Sequence, residues 1–282
     1  MREILKNVHL EDGYPGVQLG ALELEKGVIM IDAPPRPDDS REWLATLRGM
    51  GANQDRLLIN LDSHPDRTLG VRNMETTALA HSETLKLFNK RPSIFKAQRA
   101  DSGSEWELLS GLSGIRWLPP TIFFEDRVEL HWGTMPVFVE HHPGPEAGSA
   151  WVVLPEKEIV FIGDAVVSKQ PPFLANADLP AWLESLELLL SKEYKGWRVI
   201  SSRSGLVPES AIKDMRKVLN DIHKRMEGLG RRKKDPAETE KWVERLFNST
   251  GSLKKHKTQY TQRLKYGLRR YYARRYLKSY ED

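Results

Sequence analysis

Asn60-Leu61-Asp62-Ser63-His64-Pro65-Asp66-Arg67-Thr68-Leu69-Gly70 is the stretch on which the reading of this 282-residue chain turns. The apolar run Leu57-Leu58-Ile59 enters it and an apolar-periodic stretch leaves it, so it reads as a strand-to-helix loop. Asp62, His64 and Asp66 are side chains of the kinds that hold metal ions. Arg67 cannot join them, because a guanidinium has no free lone pair and does not deprotonate in a protein. A D-x-H-x-D spacing arises often by chance, so the loop takes its meaning from its surroundings.

Ahead of it, Gly27-Val28-Ile29-Met30-Ile31-Asp32 reads as a strand ending in an acid, followed by the turn Ala33-Pro34-Pro35. Asp39 with Glu42 three residues on predicts a capping box, and Trp43, Leu44 and Leu47 recur at helical spacing before Gly51 stops the helix. After the loop come Ala80-His81-Ser82-Glu83, then His141-His142-Pro143-Gly144-Pro145-Glu146-Ala147-Gly148-Ser149, then Phe161-Ile162-Gly163-Asp164, then the run 199–205.

In this order and spacing the blocks resemble the metallo-β-lactamase superfamily over roughly residues 5–225. The matching motifs there are H-x-H-x-D-H, H-x-P-G-H-x-x-G-S, F-x-G-D and V-x-P-G-H-G. The resemblance implies an α/β fold, a four-layer αββα sandwich. It also implies which positions would carry metal. The first site falls on Asp62, His64 and Pro145, the second on Asp66, Arg67 and Arg203, and the bridging carboxylate on Asp164. Of five family histidines, His64 alone remains.

The substitutions have a physical pattern. Arg67 and Arg203 would stand near Asp66 and Asp164, where guanidinium groups can replace a metal by ion pairs; carboxylates buried together without a counter-charge are costly. Two readings of the cleft follow. In one there is no metal, and Arg67 and Arg203 form ion pairs or hold a small anionic ligand in a binding or regulatory module. In the other, Asp62, His64 and Asp164 hold one zinc, iron or manganese ion in a hydrolase, with Asp66 as general base. Glu146, His141 and His142 lie close in sequence to the lost ligand position without matching it.

Apparent hairpins support a sheet-rich second half. Arg127-Val128-Glu129-Leu130-His131-Trp132 alternates, turns at Gly133-Thr134 and returns over 135–140; 151–154 and 159–162 flank Pro155-Glu156-Lys157-Glu158 likewise. Helical periodicity covers 179–190 and 208–226, where Pro208 suits a first turn.

The chain changes character near Gly230. Residues 231–282 hold 16 Lys or Arg against 6 Asp or Glu, a net of +10; the first 230 hold 27 against 33, a net of −6, which together give +4. This divides the chain into a domain at 1–230 and a basic, aromatic helical extension at 231–282. Arg231-Arg232-Lys233-Lys234 reads as an exposed linker, and Asp235-Pro236 opens a short helix through Trp242, Leu246 and Phe247. Tyr260, Leu264, Leu268, Tyr272, Tyr276 and Tyr280 then recur every four residues. That stripe docks on the domain or on a second copy of the chain, or, with Arg263, Arg269, Arg270, Arg274 and Arg275 as its surface, binds nucleic acid or an anionic membrane without sequence preference.

No cysteine is present, which excludes disulfides and thiolate metal sites. No stretch has the length of a membrane span and the N-terminus lacks an apolar signal core, so a cytoplasmic protein is expected. No G-x-S-x-G elbow accompanies Ser63, Ser201, Ser202 or Ser204, which read as loop hydrogen-bonders. His81, His131 and His223 have no partner at ligand spacing.

Overall fold

The computed structural model describes residues 1–50, 55–97 and 101–277. In the first sheet, β1 (Arg2–Leu5), β2 (Val8–Glu11), β3 (Leu19–Leu24) and β4 (Gly27–Ile31) pair antiparallel; β5 (Asp55–Ile59), β6 (Thr77–His81) and β7 (Ile122–Phe124) then add in parallel. The second sheet has the order β13-β12-β11-β10-β9-β8, from β8 (Arg127–Leu130), β9 (Val137–His141), β10 (Ala150–Leu154), β11 (Ile159–Phe161), β12 (Arg198–Ser201) and β13 (Gly205–Val207). There β11 and β12 are parallel and the other neighbours antiparallel.

Side-chain alternation sorts the residues into layers. Ile29 and Ile31 of β4, with Val152 and Leu154 of β10, enter a central core between the sheets. Val28 and Met30 turn the other way, onto Trp43, Leu44 and Leu47 of α1 (Pro37–Arg48). Trp151 and Val153 turn outward onto a helical layer built by α4 (Leu179–Leu189), α5 (Glu209–Arg231), α6 (Val243–Ser249) and α7 (Lys257–Tyr276). The result is a four-layer αββα sandwich. The remaining helices are α2 (Pro65–Thr68) and α3 (Ser82–Lys90). No helix among the described residues is long and apolar enough to cross a membrane.

Some helix ends differ from expectation. The Asp39–Glu42 capping box does not form: α1 begins at Pro37 with Arg36 as its cap residue, and Asp39 sits in the first turn, 2.7 Å from Arg36 Nε. A proline at the first helical position presets the backbone angle there and moves the start forward. Gly51 lies outside the described residues. Pro208 is the residue before α5 rather than part of its first turn.

The C-terminal stripe is buried from Tyr260 to Tyr272, and the buried face is wider than a four-residue period. An α-helix advances 100° per residue, so steps of four drift by roughly 40° each. The buried face of α7 instead runs Tyr260, Arg263, Leu264, Gly267, Leu268, Tyr271 and Tyr272. Leu264, Leu268 and Tyr272 share a core with Trp182 and Leu186 of α4 and with Leu219 and Ile222 of α5. Tyr276 is half-buried and donates to Glu227 Oε1 at 2.7 Å, while Tyr280 lies outside the described residues.

Candidate active site

Parallel strands bring the candidate residues to one edge. Asp32 follows β4, the 60–70 loop follows β5, Asp164 follows β11 and Arg203 follows β12, all at the carboxyl ends of their strands. Gly70 closes the loop because nothing larger fits: a Cβ there would stand 2.0 Å from Pro34 O. Gly163 has φ +58°, the left-handed turn that sets Asp164 beside the loop.

Two guanidinium groups occupy the centre. Arg67, 0% exposed, donates from Nη2 to Asp164 Oδ1, and its Nε and Nη1 lie 3.3 Å from Asp62 Oδ1 and 3.5 Å from Asp32 Oδ2. The first is an aligned hydrogen bond; the other two are charge contacts. Arg203 donates from Nε to Asp164 Oδ2 at 2.9 Å, from Nη2 to Asp66 Oδ2 at 2.9 Å, and from Nη1 to Glu105 Oε2 at 2.5 Å and Gly16 O at 3.1 Å. Both oxygens of Asp164 therefore face a cation. Asp66 is equally committed, since its Oδ1 accepts from the Trp106 N–H at 2.7 Å.

His64 Nδ1 lies 3.3 Å from the Asp66 backbone nitrogen, 3.2 Å from Arg203 Nη2 and 3.2 Å from Asp66 Oδ2, so that nitrogen is engaged within the protein. Its ring stands edge-on to Phe173 with centroids 4.8 Å apart. Asp62 Oδ1 accepts from the His64 N–H at 2.8 Å.

The charges balance unequally over four buried aspartates. Burial works against ionised Asp66, but Arg203 and then His64 outweigh it and hold the carboxyl well below the usual range. Burial likewise opposes ionised Asp164, and Arg203 and Arg67 overcome it. Asp62 goes the other way: burial, with Glu146 and Asp164 behind it, pushes its pKa up to about 7 despite Arg67 and His64. Asp32 is also raised, by burial, against Arg67 and hydrogen bonds from the Leu61 N–H and Ser202 Oγ. Two cations thus hold two carboxylates firmly charged and leave two leaning toward the neutral form.

Above this cluster lies a cavity of about 210 Å³, lined among others by Asp62, His64, Arg91, Glu146, Asp164 and Asn176, and on its α7 side by Arg263, Tyr266, Gly267 and Arg270. Residues 19–195, more than half of the chain, match the family description of the metallo-beta-lactamase superfamily. The chain belongs to the metallo-β-lactamase superfamily. No curated protein matches it. Among solved structures, the inverting sec-alkylsulfatase Pisa1 from Pseudomonas sp. superposes with a TM-score of 0.72 at 14% identity, over 99% of this chain and 50% of that one. This chain therefore spans about half the length of the sulfatase. The DIM-1 metallo-beta-lactamase gives 0.60 at 17% identity over 78% of this chain and 96% of that one. The metallo-beta-lactamase from Pontibacter korlensis gives 0.58 at 17%, over 78% and 97%. At such identities the likeness is one of fold.

The metallo-β-lactamase fold implies metal ions here, and the donor set does not fit them. Pro145 offers no donor, and Arg67 and Arg203 engage every oxygen of Asp164 and one of Asp66. A divalent ion would have to sit against two guanidinium groups that already neutralise its ligands. Among the described residues, no group of three His, Asp or Glu side chains is arranged to hold a metal.

Of the two roles expected for Arg67 and Arg203, ion pairing is the one the structure shows: neither lines the cavity, and both face the chain's own carboxylates. Two site assignments from sequence need correction. Asp66 is a poor general base, with both oxygens bonded and its carboxyl held far below the usual range. Arg263 is not a surface group but 1% exposed: its guanidinium donates to Gly103 O at 2.9 and 3.1 Å, to Gln170 Oε1 at 2.9 Å and to Glu105 Oε1. It sits one residue before Leu264, at the edge of the buried face, and Phe173 and Tyr260 cover its plane at 4.0 and 5.0 Å. Arg269, Arg274 and Arg275 are exposed, with Arg269 3.1 Å from Glu240 Oε1; Arg270 is half-buried at the cavity.

His141 and His142 turn away from the site. His141 bonds Ala147 O and stacks on His81, and His142 stacks on Trp151. Glu146 stays near Asp62 but is held by Ser63, through its N–H at 3.2 Å and its hydroxyl, and by Asn176 Nδ2 at 3.4 Å. Glu105, Phe173 and Arg91 were not singled out from sequence. They sit in segments with no motif, and nothing in their local spacing marks them.

Proposed function

We propose that this metallo-β-lactamase-fold protein has given up dinuclear metal hydrolysis and works without a metal cofactor, as a binding or regulatory module whose ligand enters the cavity above the charge cluster. The observation that carries this reading is Asp164, the bridging carboxylate of the family pattern, clamped by Arg67 on one oxygen and Arg203 on the other. Each guanidinium supplies the positive charge that a metal would supply, but none of the Lewis acidity or the bound water of lowered pKa on which such hydrolysis depends. A single ion on Asp62, His64 and Asp164 would have to displace both clamps. A role through the C-terminal segment alone has less support, because the apolar face of α7 is spent on the core of the same chain.

The test is the metal content of the full chain purified without chelators, measured by elemental mass spectrometry beside an Asp164→Ala variant. Background zinc, iron and manganese in both agrees with the proposal. Close to one ion per chain, lost in the variant, would overturn it and return Asp62, His64 and Asp164 to the role of ligands.

A further inference from the structure

One guanidinium near the cluster has no carboxylate of its own. Arg91, just past the end of α3, lines the cavity. Its Nη2 donates to Ser63 Oγ at 3.2 Å, while its buried Nη1 has no hydrogen-bond partner, and it takes part in no ion pair among the described residues. Two aromatic rings hold it instead, with its guanidinium carbon 5.1 Å from the centre of Phe88 and 4.9 Å from that of Trp117. A largely buried cation without a direct ion pair is costly, and a guanidinium that lines a cavity is suited to a carboxylate or phosphate. The nearest acids, Glu146 and then Asp62, act on Arg91 through charge but make no direct ion pair with it. Glu146 is held by Ser63 and Asn176, and Asp164 by Arg67 and Arg203.

The rest of the lining gives the ligand its body. Trp106, Phe173 and Leu174 are apolar, and α7 approaches closely because residue 267 is glycine: a Cβ there would meet Leu174 Cβ at 3.1 Å. We propose that the cavity takes a small amphiphilic anion, its carboxylate or phosphate group recognised by Arg91 and its compact apolar body lying against Trp106, Phe173 and the α7 wall. This rests on the metal-free reading, which leaves the cavity floor with no ion to receive the anion.

The experiment is isothermal titration of the full chain with benzoate, phenyl phosphate and, as the uncharged control, benzamide, at constant ionic strength, first in EDTA and then with added zinc. In EDTA, one or both anions bind at a single saturable site, the better of the two identifies the acidic group, and benzamide does not bind. Arg91→Gln weakens that binding by about tenfold or more, the loss of a charge-assisted hydrogen bond, and Arg91→Lys weakens it less. Ala175→Trp, at a half-buried lining position with no part in the ion pairs, blocks binding by filling the space and serves if Arg91→Gln does not fold. Equal binding of benzamide, unchanged binding in either Arg91→Gln or Ala175→Trp, or no binding of either anion overturns the anion proposal. Binding that appears only with zinc overturns the metal-free reading beneath it.

Discussion

Arg203 and Arg263 share one carboxylate and one aromatic ring. Glu105 accepts from Arg203 on Oε2 at 2.5 Å and from Arg263 on Oε1, and the two guanidinium carbons lie 4.2 and 4.0 Å from the centre of the Phe173 ring. Arg203 follows β12 and reaches the positions at which the family pattern places metal ligands; Arg263 belongs to α7. The C-terminal helix is thereby tied into the charge cluster, and the basic segment that composition sets apart completes the site on one side.

Glu105→Gln tests this junction. The substitution keeps the shape and removes the charge that two buried guanidinium groups share. Breaking one partner of a buried pair costs about 3–5 kcal/mol; Glu105 keeps some solvent access, 19% of its side chain, so a loss of about 2–3 kcal/mol is expected. Urea unfolding of the two proteins measures it, and a midpoint unchanged from wild type would show that Glu105 is not the link between them.

Acid and neutral pH should act on different aspartates. Asp66 and Asp164 have folded pKa values below the unfolded value of about 4. The stability they contribute is present above that value and is lost as pH falls below it. Asp62 is pushed up to about 7 and Asp32 is also raised, so the folded state holds protons that the unfolded state releases near pH 4. Their contribution is full below pH 4 and declines as pH rises toward 7. Asp62→Asn should therefore lose less stability than wild type between pH 5 and pH 8, as read from urea midpoints at both values. An equal loss in the two proteins would mean that Asp62 is ionised throughout.

If the guanidinium groups stand where metals would, replacing them should reopen the site. In an Arg67→His, Arg203→His double variant, Asp66 and the bridging Asp164 lose their internal counter-ions and gain two imidazoles at the positions the family pattern gives to ligands. Zinc bound after equilibrium dialysis should rise from background in wild type to close to one per chain, with a higher melting temperature when zinc is present. A folded double variant that takes up no zinc would show that the altered first site, with Asp62 and Pro145 at its ligand positions, matters more than the arginines.

The fold was legible where periodicity and short motifs agree. The alternation of β8 and the two hairpins, β8 with β9 and β10 with β11, rest on local periodicity and turn residues that a few positions determine. The pairing of Arg67 and Arg203 with Asp164 was also within reach, because the family pattern places all three near one pocket. Glu105, Phe173 and Arg91 were not, because each matters through contacts across 28 to 158 positions of sequence: Arg91 with Ser63, Glu105 with Arg203 and Arg263. Arg263 was misplaced for a different reason. A charged residue beside an apolar stripe is usually solvated, and the buried acceptors that make an exception lie on distant loops.

The docking of α7 gives a sharp contrast between neighbouring residues. Leu268 is 0% exposed in the core it shares with α4 and α5, whereas Arg275, seven residues on, is exposed. Leu268→Ala should cost about 2–5 kcal/mol by removing buried methyl groups and leaving a cavity. Arg275→Ala should stay within about 0.5 kcal/mol, as surface changes away from special features do. Urea denaturation of both variants checks the pair. If α7 were a free arm for nucleic acid or membrane, the order would reverse in functional assays and both changes would leave stability alone. A Leu268→Ala variant as stable as wild type would therefore detach α7 from the domain, and with it the α7 wall of the cavity.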